Sequence, residues 1–558
     1  MAHLSLRNRS LAQCACSALL ALLVGACGAA DDVNGTGTGA VSPFEGPAAA
    51  QSNQQPPPGT PNNPGSPPSD NNSPGAGSTN PEAPPGDITL TPGSTSPGST
   101  SPGSPGGTDT SVGMMTPGTT PPGMTPGMTP PGMTPPGMTP PAVPAQFPDA
   151  VLERPTRGTP NLFTELLGVP EPQVNGKLVQ AVNRFFGIGT NESTTPVRDT
   201  GFRVYYELPQ DRSMAFIWAA DSNDIRSEGM SYGMMIAVQM DLQPQFNALW
   251  KFAQTFMQFP ANSNQTSWRG NFRWQGSVNT GNANNWQVNF GANTGPAPDG
   301  DEYFAAALYL ADRRWGSNGG VNYRQQADTI AHAMISNPAA NGNTPLINAA
   351  NNLVVFFPAG GSANFTDPSY NLPAFYELYA LDGPQGDAGR WNAIADASRR
   401  LIVNSANANT GLHPDYSNFN GTPNNGGSNH DQFIYDAWRV PMNMAVDFAW
   451  FSQDARFTTQ VNKYHAFFTN QLNANKDNVR NATFAIDGSN AGGGSSTALT
   501  SVLGAGALAS TAANRADFVQ AAWNVNQQSG QYRYYQESVY LLGLLSTAGV
   551  FGYEWATP

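Results

Sequence analysis

The stretch SEGMSYGMM, from Ser227 to Met235, places one carboxylate at the head of an otherwise apolar, methionine-rich run. If the run is a helix, Ser227 is a natural N-cap and Glu228 falls in the first turn, where the helix dipole favours a negative charge. Under that interpretation Glu228 is a structural residue. The alternative is that it performs chemistry, and the rest of the chain has to decide between the two.

Outward from this stretch, twelve segments beyond Phe147 carry the apolar stripe of an amphipathic helix. They lie near residues 171–187, 228–242, 245–258, 301–314, 322–335, 368–381, 388–404, 436–453, 458–473, 497–511, 514–526 and 536–547. No regular alternation of strands and helices is present. The sequence therefore predicts an all-α domain over residues 147–558. Six helical hairpins in a double ring are compatible with twelve helices, although periodicity alone does not select that arrangement.

A second group of acids occurs in GPAPDGDEYF, where Asp299, Asp301 and Glu302 precede a helix predicted to start near Tyr303. Close carboxylates repel one another, which raises the pKa of at least one of them, and a general acid needs a raised pKa. N-capping by Asp301 or Glu302 is one alternative. A calcium loop is another, but the EF-hand spacing is absent.

A third acid, Asp436, opens the predicted helix in YDAWRVPMN, with Arg439 three residues further on. At this spacing the two side chains could form a surface ion pair worth about 0.5 kcal/mol. Three predicted helices thus begin with an acid before an aromatic or methionine-rich stripe. In a barrel of helices such N-termini could converge on one face, which would make a catalytic site.

Five motifs, in this order and at these separations, resemble glycoside hydrolase family 8, particularly its xylan-active branch. They are SEGMSYGMMIAVQMD, GPAPDGDEYFAAALYLADRRWG, DPSYNLPAFYELYA, DAWRVPMNMAVDFAWF and YRYYQESVYLLGLLSTAGVF. The resemblance covers nearly all of the chain after about Gln173. It implies an (α/α)6 barrel with an open acidic groove and inverting hydrolysis of β-1,4-linked xylan or xylo-oligosaccharides. Endo-β-1,4-glucanase, lichenase and chitosanase activities of the same family are the alternatives.

The resemblance also implies a role for each acid. Glu228 matches the general acid, and Asp436 matches the general base that deprotonates the attacking water, aided by Arg439. Asp299 matches the residue beneath the sugar at the cleavage point, where it helps to keep the acid protonated. Because an inverting mechanism needs room for a water molecule, we expect the Glu228 and Asp436 carboxyls to lie roughly 6.5 to 9.5 Å apart.

Aromatic residues are expected to bind the substrate, because flat sugar faces stack on rings. Trp274, Tyr370 and Tyr534 match positions that contact substrate in the family, although core packing is the commoner fate of any single aromatic residue. Asp301 and Glu302 are expected to cap the helix or to support the site.

The mode of cleavage stays open at this point. Some xylan-active members release xylose from the reducing end because a loop bearing a histidine closes the groove. The corresponding stretch here, DGSNAGGGSSTALTS from Asp487 to Ser501, contains no histidine. The SEGMSYGMM motif, in contrast, is nearer to that of the exo-acting enzymes.

The first 146 residues differ sharply in composition from the rest. Residues 1–26 resemble a lipoprotein signal peptide, with a basic start, an apolar run too short to span a bilayer, and a lipobox before Cys27. An ordinary signal peptide is the alternative to acylation of Cys27. Residues 27–146 are rich in Pro, Gly, Ser, Thr and Met and predict a disordered tether. We therefore expect an exported protein, lipid-anchored at the bacterial outer membrane or cell surface, or secreted.

Composition limits the partners. The formal net charge is −13 with no basic cluster outside the signal, which argues against nucleic acid. Of the three cysteines only Cys27 follows the signal, so no intramolecular disulfide is expected. The five histidines lack ligand spacing, so neither a metal nor another cofactor is predicted.

The expected partners are a polysaccharide or oligosaccharide and, through the lipid anchor, a membrane, with a monomeric catalytic domain. Two other functional classes remain open. A polysaccharide lyase can share an (α/α) barrel, but it uses positive charge to hold acidic sugars, which this acidic chain does not supply. A non-catalytic glycan-binding lipoprotein would keep the aromatic residues without needing three acids.

Overall fold

The computed structural model describes residues 147–292, 294–452 and 454–556. The predicted signal peptide, Cys27 and the tether lie outside these residues.

Helices dominate the described part of the chain, as predicted. Its α-helices are α1 (Leu162–Leu167), α2 (Glu171–Phe186), α3 (Ser227–Gln239), α4 (Gln243–Phe252), α5 (Pro298–Trp315), α6 (Tyr323–Ser336), α7 (Pro373–Asp382), α8 (Ala388–Ser405), α9 (Val440–Asp447), α10 (Ala455–Phe468), α11 (Thr497–Gly506), α12 (Arg515–Asn524) and α13 (Arg533–Thr547). All twelve predicted helices are present, with shifted ends. Helix α1 was missed because six residues are too short to show a helical period.

Six of these helices close a ring. Helix α3 packs on α5, α5 on α7, α7 on α9, α9 on α11, α11 on α13, and α13 returns to α3. Each ring helix also packs on one further helix, namely α4, α6, α8, α10, α12 or α2. Every residue of α11 and α13 is buried, as expected for helices covered on all sides, whereas α10 buries only one stripe. The chain therefore forms a double ring of six helix pairs, of which five are hairpins and the sixth joins α13 to α2 from the other end of the domain.

Short strands lie between the helices. They are β1 (Arg157–Gly158), β2 (Tyr205–Leu208), β3 (Asp211–Ile217), β4 (Ile225–Arg226), β5 (Gln275–Asn279), β6 (Gln287–Asn289), β7 (Ile347–Asn348), β8 (Leu353–Val354) and β9 (Gly552–Glu554). They pair as antiparallel β1–β9, β2–β3, β4–β5–β6 and β7–β8. Strand β4 matters for the site because it runs directly into α3.

The predicted helix over 436–453 is broken into three parts. A 3-10 turn covers Tyr435–Arg439, α9 follows over Val440–Asp447, and a π-helical turn covers Phe448–Ser452. Pro441 lies in the first turn of α9, where its missing N–H costs nothing. Asp436 therefore lies in the 3-10 turn and not in the first turn of an α-helix.

No helix in the described ranges combines the length and apolar character that a membrane span requires.

Candidate active site

Three acids from separate parts of the sequence converge on one buried arginine. Arg439 Nη1 lies 3.1 Å from Asp299 Oδ2 and 3.4 Å from Glu228 Oε2. Arg439 Nη2 lies 3.2 Å from Asp436 Oδ2 and also donates to the Ser369 hydroxyl at 2.8 Å. Arg439 is only 1% exposed, so its charge is shielded from water. The convergence expected of these acids is therefore present, and Arg439 is not part of a surface ion pair.

Strand pairing positions Glu228. Strand β4 pairs with β5, and the Ser227 N–H continues this pairing by donating to the Trp274 carbonyl at 2.9 Å. Ser227 is consequently the first residue of α3, and Arg226 occupies the N-cap position. The predicted N-cap role of Ser227 was wrong, because a strand and not a free coil precedes the helix. Its buried hydroxyl has no hydrogen-bond partner among the described residues.

Two glycines let the surrounding elements approach Glu228 closely. A Cβ on Gly229 would lie 2.4 Å from the Tyr534 ring, and one on Gly300 would lie 2.5 Å from the Ser227 Cβ. Such distances are not reached by real side chains. The glycines in SEGMSYG and PDGDE therefore bring α13 and α5 against the first turn of α3.

The surroundings of Glu228 favour its protonated form. The Tyr534 hydroxyl donates to Glu228 Oε1 at 2.9 Å, which fixes the carboxyl group. Burial, reinforced by the charge of Asp436, raises the pKa of Glu228 to about 8, although Arg439 acts in the opposite direction. These effects outweigh the dipole of α3, which favours the ionised form.

Asp299 lies in the first turn of α5 and is 3% exposed. Burial raises its pKa to about 6, while Arg439 opposes the shift. Because Asp299 Oδ2 and Glu228 Oε2 contact the same nitrogen of Arg439, these oxygens lie within roughly 6.5 Å of each other. At that range the charge on one carboxyl favours the neutral form of the other.

Asp301 and Glu302 are buried and do not cap α5, whose N-cap is Ala297. Asp301 accepts from the Asn271 amide at 3.0 Å, and Glu302 accepts from the Tyr376 hydroxyl at 2.5 Å. The capping alternative for these two residues was wrong. Through these hydrogen bonds they attach α5 to Asn271 and to Tyr376 of α7.

Asp436 is fully buried within the site. Besides Arg439, it accepts from the Tyr535 hydroxyl at 3.1 Å, and its own N–H donates to Asp415 Oδ1 at 3.0 Å. The preceding Tyr435 has a φ of 44°, a conformation that a non-glycine residue adopts only when its surroundings impose it. Tyr435, Tyr535 and Asp415 were not predicted as site residues.

Arg439 also bounds the separation of the predicted acid and base. The two guanidinium nitrogens that contact Glu228 and Asp436 are about 2.3 Å apart, since each C–N bond is about 1.33 Å. With the two contact distances, Glu228 Oε2 and Asp436 Oδ2 lie at most roughly 9 Å apart. This upper limit allows the separation expected of inverting glycosidases as well as the shorter separation of retaining ones, so the separation itself stays a prediction.

The three aromatic residues expected to bind sugar lie in different environments. Trp274 is half-buried and joins the start of α3 through its backbone carbonyl. Tyr370 and Tyr534 are 3% and 1% exposed, so neither offers a free ring face for stacking. Of these three residues, only Trp274 is partly exposed.

Comparison with known proteins agrees with this geometry. Residues 216–549 match the model of a family described as Glycosyl hydrolases family 8. The chain is 34% identical over 399 residues to the reducing-end xylose-releasing exo-oligoxylanase Rex8A of Paenibacillus barcinonensis, covering 70% of this chain and 95% of the relative. It is 29% identical to endoglucanase C of Ruminiclostridium cellulolyticum, covering 64% and 68%.

A solved structure of similar fold is the xylobiose complex of a family 8 protein from Teredinibacter turnerae. It is 36% identical, with a TM-score of 0.62, and the match covers 71% of this chain and 98% of that one. The catalytic-mutant xylanase from the same organism, in complex with xylohexaose, matches equally well.

Proposed function

The chain belongs to glycoside hydrolase family 8, and we propose that it hydrolyses β-1,4-linked xylan or xylo-oligosaccharides with inversion at the anomeric carbon. The observation that carries this proposal is the convergence of Glu228, Asp299 and Asp436 on Arg439. One guanidinium cannot compensate the charge of three buried carboxyls, and uncompensated burial of charge is costly. A protein that only bound glycan would have no need for such a cluster.

In the proposed reaction Glu228 is the general acid. Its carboxyl proton passes to the glycosidic oxygen as the C–O bond breaks, and the departing sugar leaves as a neutral hydroxyl. The raised pKa of about 8 keeps Glu228 protonated near neutral pH. The hydrogen bond from Tyr534 holds the carboxyl in one orientation throughout.

Asp436 is the proposed general base. A water molecule attacks the anomeric carbon from the face opposite the leaving group and gives one proton to the Asp436 carboxylate. Arg439 lies 3.2 Å from Asp436 and Tyr535 donates a hydrogen bond to it, so the two side chains hold this carboxyl in place. Asp299 is the proposed partner of the sugar at the cleavage point, where partial positive charge develops on the ring.

The substrate class is proposed from the net charge of the chain and from its sequence similarity to known enzymes. The acidic chain suits a neutral glycan. The relatives of about 33% identity over nearly their whole length are named for releasing xylose from oligoxylans. Endoglucanases of the family match at lower identity, which makes a β-1,4-glucan the second candidate substrate.

Cleavage within the chain is proposed in addition to cleavage at its end. Trp438 Nε1 donates to the Ala482 carbonyl at 2.8 Å, so the segment leading to Asp487–Ser501 is attached to the turn that carries Asp436. From Asp487 to Ser495 that stretch is exposed or half-buried and offers only short side chains. Short side chains leave space for sugars beyond the cleavage point.

Product analysis tests the proposal. The full-length chain is incubated with xylan, xylo-oligosaccharides, mixed-linkage glucan and chitosan, and products are separated with resolution of anomers. We expect a ladder of xylo-oligosaccharides of inverted configuration. Xylose as the sole product would make the enzyme strictly exo-acting. A ladder from glucan or chitosan alone would overturn the substrate assignment, and binding without any product would overturn the enzymatic one.

Anchoring at the cell surface is also proposed, on the basis of the lipobox before Cys27 and the composition of residues 27–146. The tether would hold the catalytic domain of residues 147–558, as a monomer, away from an outer membrane. Cys27→Ser is expected to shift the protein from the membrane fraction to the soluble fraction of a producing bacterium and to abolish incorporation of labelled fatty acid. Unchanged fractionation would contradict the anchor.

A further inference from the structure

Two further buried carboxyls, those of Asp367 and Asp415, lie behind the proposed base. One oxygen of each lies within 4.8 Å of the other and of an oxygen of Asp436. All three residues are fully buried. Three ionised carboxylates at such distances would repel one another strongly, so at least one of them must be neutral.

Donors already surround the carboxyls of Asp436 and Asp415. Asp436 accepts from Tyr535 and Arg439. Asp415 accepts from the Asp436 N–H at 3.0 Å, and its other oxygen lies 2.6 Å from His430 Nδ1. Because burial lowers the pKa of His430, the ring is neutral, and its Nδ1–H is the donor in this pair when Asp415 is ionised. Both oxygens of each carboxyl thus have a protein group within hydrogen-bond distance, although burial and the charge of Asp436 raise the pKa of Asp415 as well.

Asp367 differs from its two neighbours. Its Oδ1 accepts from the Ser369 N–H at 2.6 Å, but its Oδ2 is buried and has no hydrogen-bond partner among the described residues. An ionised oxygen in that position would lose its hydration without gaining a hydrogen bond, so it would carry the full free-energy cost of desolvation. A protonated carboxyl would instead supply a donor beside Asp415 and Asp436, each of which has an oxygen within 4.8 Å of an oxygen of Asp367.

We propose that Asp367 is a neutral carboxylic acid whose Oδ2–H is donated to the carboxylates of Asp415 and Asp436, and that it thereby positions the general base. The inference deepens the proposed function and rests on the role of Asp436 in it. A neutral donor holds the base in place without adding a second negative charge beside it. A cation is not needed to join the cluster, since five of the six oxygens already have protein donors.

The groups that face Asp367 agree with this protonation state. Burial, together with the charges of Asp415 and Asp436, raises the pKa of Asp367 well above its usual range, and Arg439 only partly opposes the shift. The nearby phenols of Tyr370 and Tyr416 stay neutral, because burial raises their pKa values as well.

Two variants of the full-length chain separate the donor role from a charge role. Asp367→Asn keeps a neutral donor of the same shape, so kcat/KM should stay within about threefold of the parent and the acidic limb of its pH profile should not move. Asp367→Ala removes the donor, so kcat should fall about 100-fold with little change in KM. If Asp367 were ionised, Asp367→Asn would remove a negative charge beside the base and shift the acidic limb to lower pH, which would overturn the proposal.

Infrared spectroscopy tests the proton without relying on activity. The difference spectrum between the parent and Asp367→Asn at neutral pH should contain the carbonyl band of a protonated carboxyl group, and its absence would overturn the proposal. Because this signal does not depend on hydrolysis, it remains informative if no glycan is cleaved. A parent melting temperature that EDTA lowers and calcium restores, with no such response in Asp367→Ala, would make the cluster a cation site and overturn the proposal.

Discussion

Glu228→Gln is expected to lower kcat/KM on xylan by about 10³-fold to 10⁴-fold, because the amide cannot deliver a proton to the glycosidic oxygen. Its shape and its hydrogen bond with Tyr534 are retained, so the protein should remain folded. Reducing-sugar release, measured with matched protein concentrations, gives the ratio. A variant with more than about one tenth of the parent kcat/KM would rule out Glu228 as the general acid.

A matched control is Glu165→Gln, the same substitution in the first turn of α1 at an exposed position. It should leave kcat/KM unchanged. The leaving group supplies a second control, because the fluoride ion of xylobiosyl fluoride departs without needing a proton from a general acid. The loss of kcat/KM in Glu228→Gln should therefore be smaller with xylobiosyl fluoride as the substrate. The loss in Asp436→Asn should persist, since attack by water still needs a base.

The same residue sets the basic side of the pH profile. Glu228 works while protonated, so kcat/KM of the parent should fall as the pH rises through about 8, the raised pKa of this carboxyl. The residual activity of Glu228→Gln should lack that fall. A basic limb that persists unchanged in the variant would assign it to another group.

Glu228 and Asp436 stand next to apolar stripes, where a polar residue is conspicuous, but only the resemblance to the family selected Asp299 from its neighbours Asp301 and Glu302 and implied a role for each acid. Their shared partner could not be found in this way. Asp436 and Arg439 fit a local surface pair by spacing alone, and only the ring of helices brings Glu228 and Asp299 to the same guanidinium.

The supporting residues could not be recognised because they resemble core. Tyr535 lies in the apolar stripe of α13, yet its hydroxyl donates to Asp436. Tyr232 lies in the apolar stripe of α3, yet its hydroxyl accepts from Arg439. Asp367 stands in a loop, and nothing local indicates that Asp415 is its neighbour. The N-cap of α3 was predicted wrongly for the same reason. It depends on the pairing of β4 with β5, and β5 is distant from α3 in the sequence.

Arg439→Leu is expected to destabilise the protein by about 3 to 5 kcal/mol and to abolish measurable hydrolysis, because three buried carboxyls lose their common countercharge. Leucine fills much of the same volume, so the loss would come from charge and not from a cavity. Chemical unfolding gives the free energy. The matched control is Arg324→Leu, which removes a half-exposed arginine paired with Asp312 and Asp328 and should cost less than about 1 kcal/mol.

The destabilisation should depend on pH in a definite direction. Without Arg439 the pKa values of Glu228 and Asp299 rise further above those of the unfolded chain, so the folded state binds more protons than the unfolded one. Stability is then lost as the pH rises from the unfolded pKa of about 4 toward the raised folded values. The variant should therefore be closest to the parent near pH 5 and furthest from it near pH 8.

Adding Asp299→Asn to Arg439→Leu should restore part of the stability, because one of the uncompensated carboxyls is removed. In the parent the same Asp299→Asn change should be neutral or destabilising, because Arg439 then loses a partner. Opposite effects of Asp299→Asn on the free energy of unfolding in the two backgrounds would show that Arg439 acts as a countercharge. If Asp299→Asn had the same effect on stability in both backgrounds, Arg439 would be acting through packing alone.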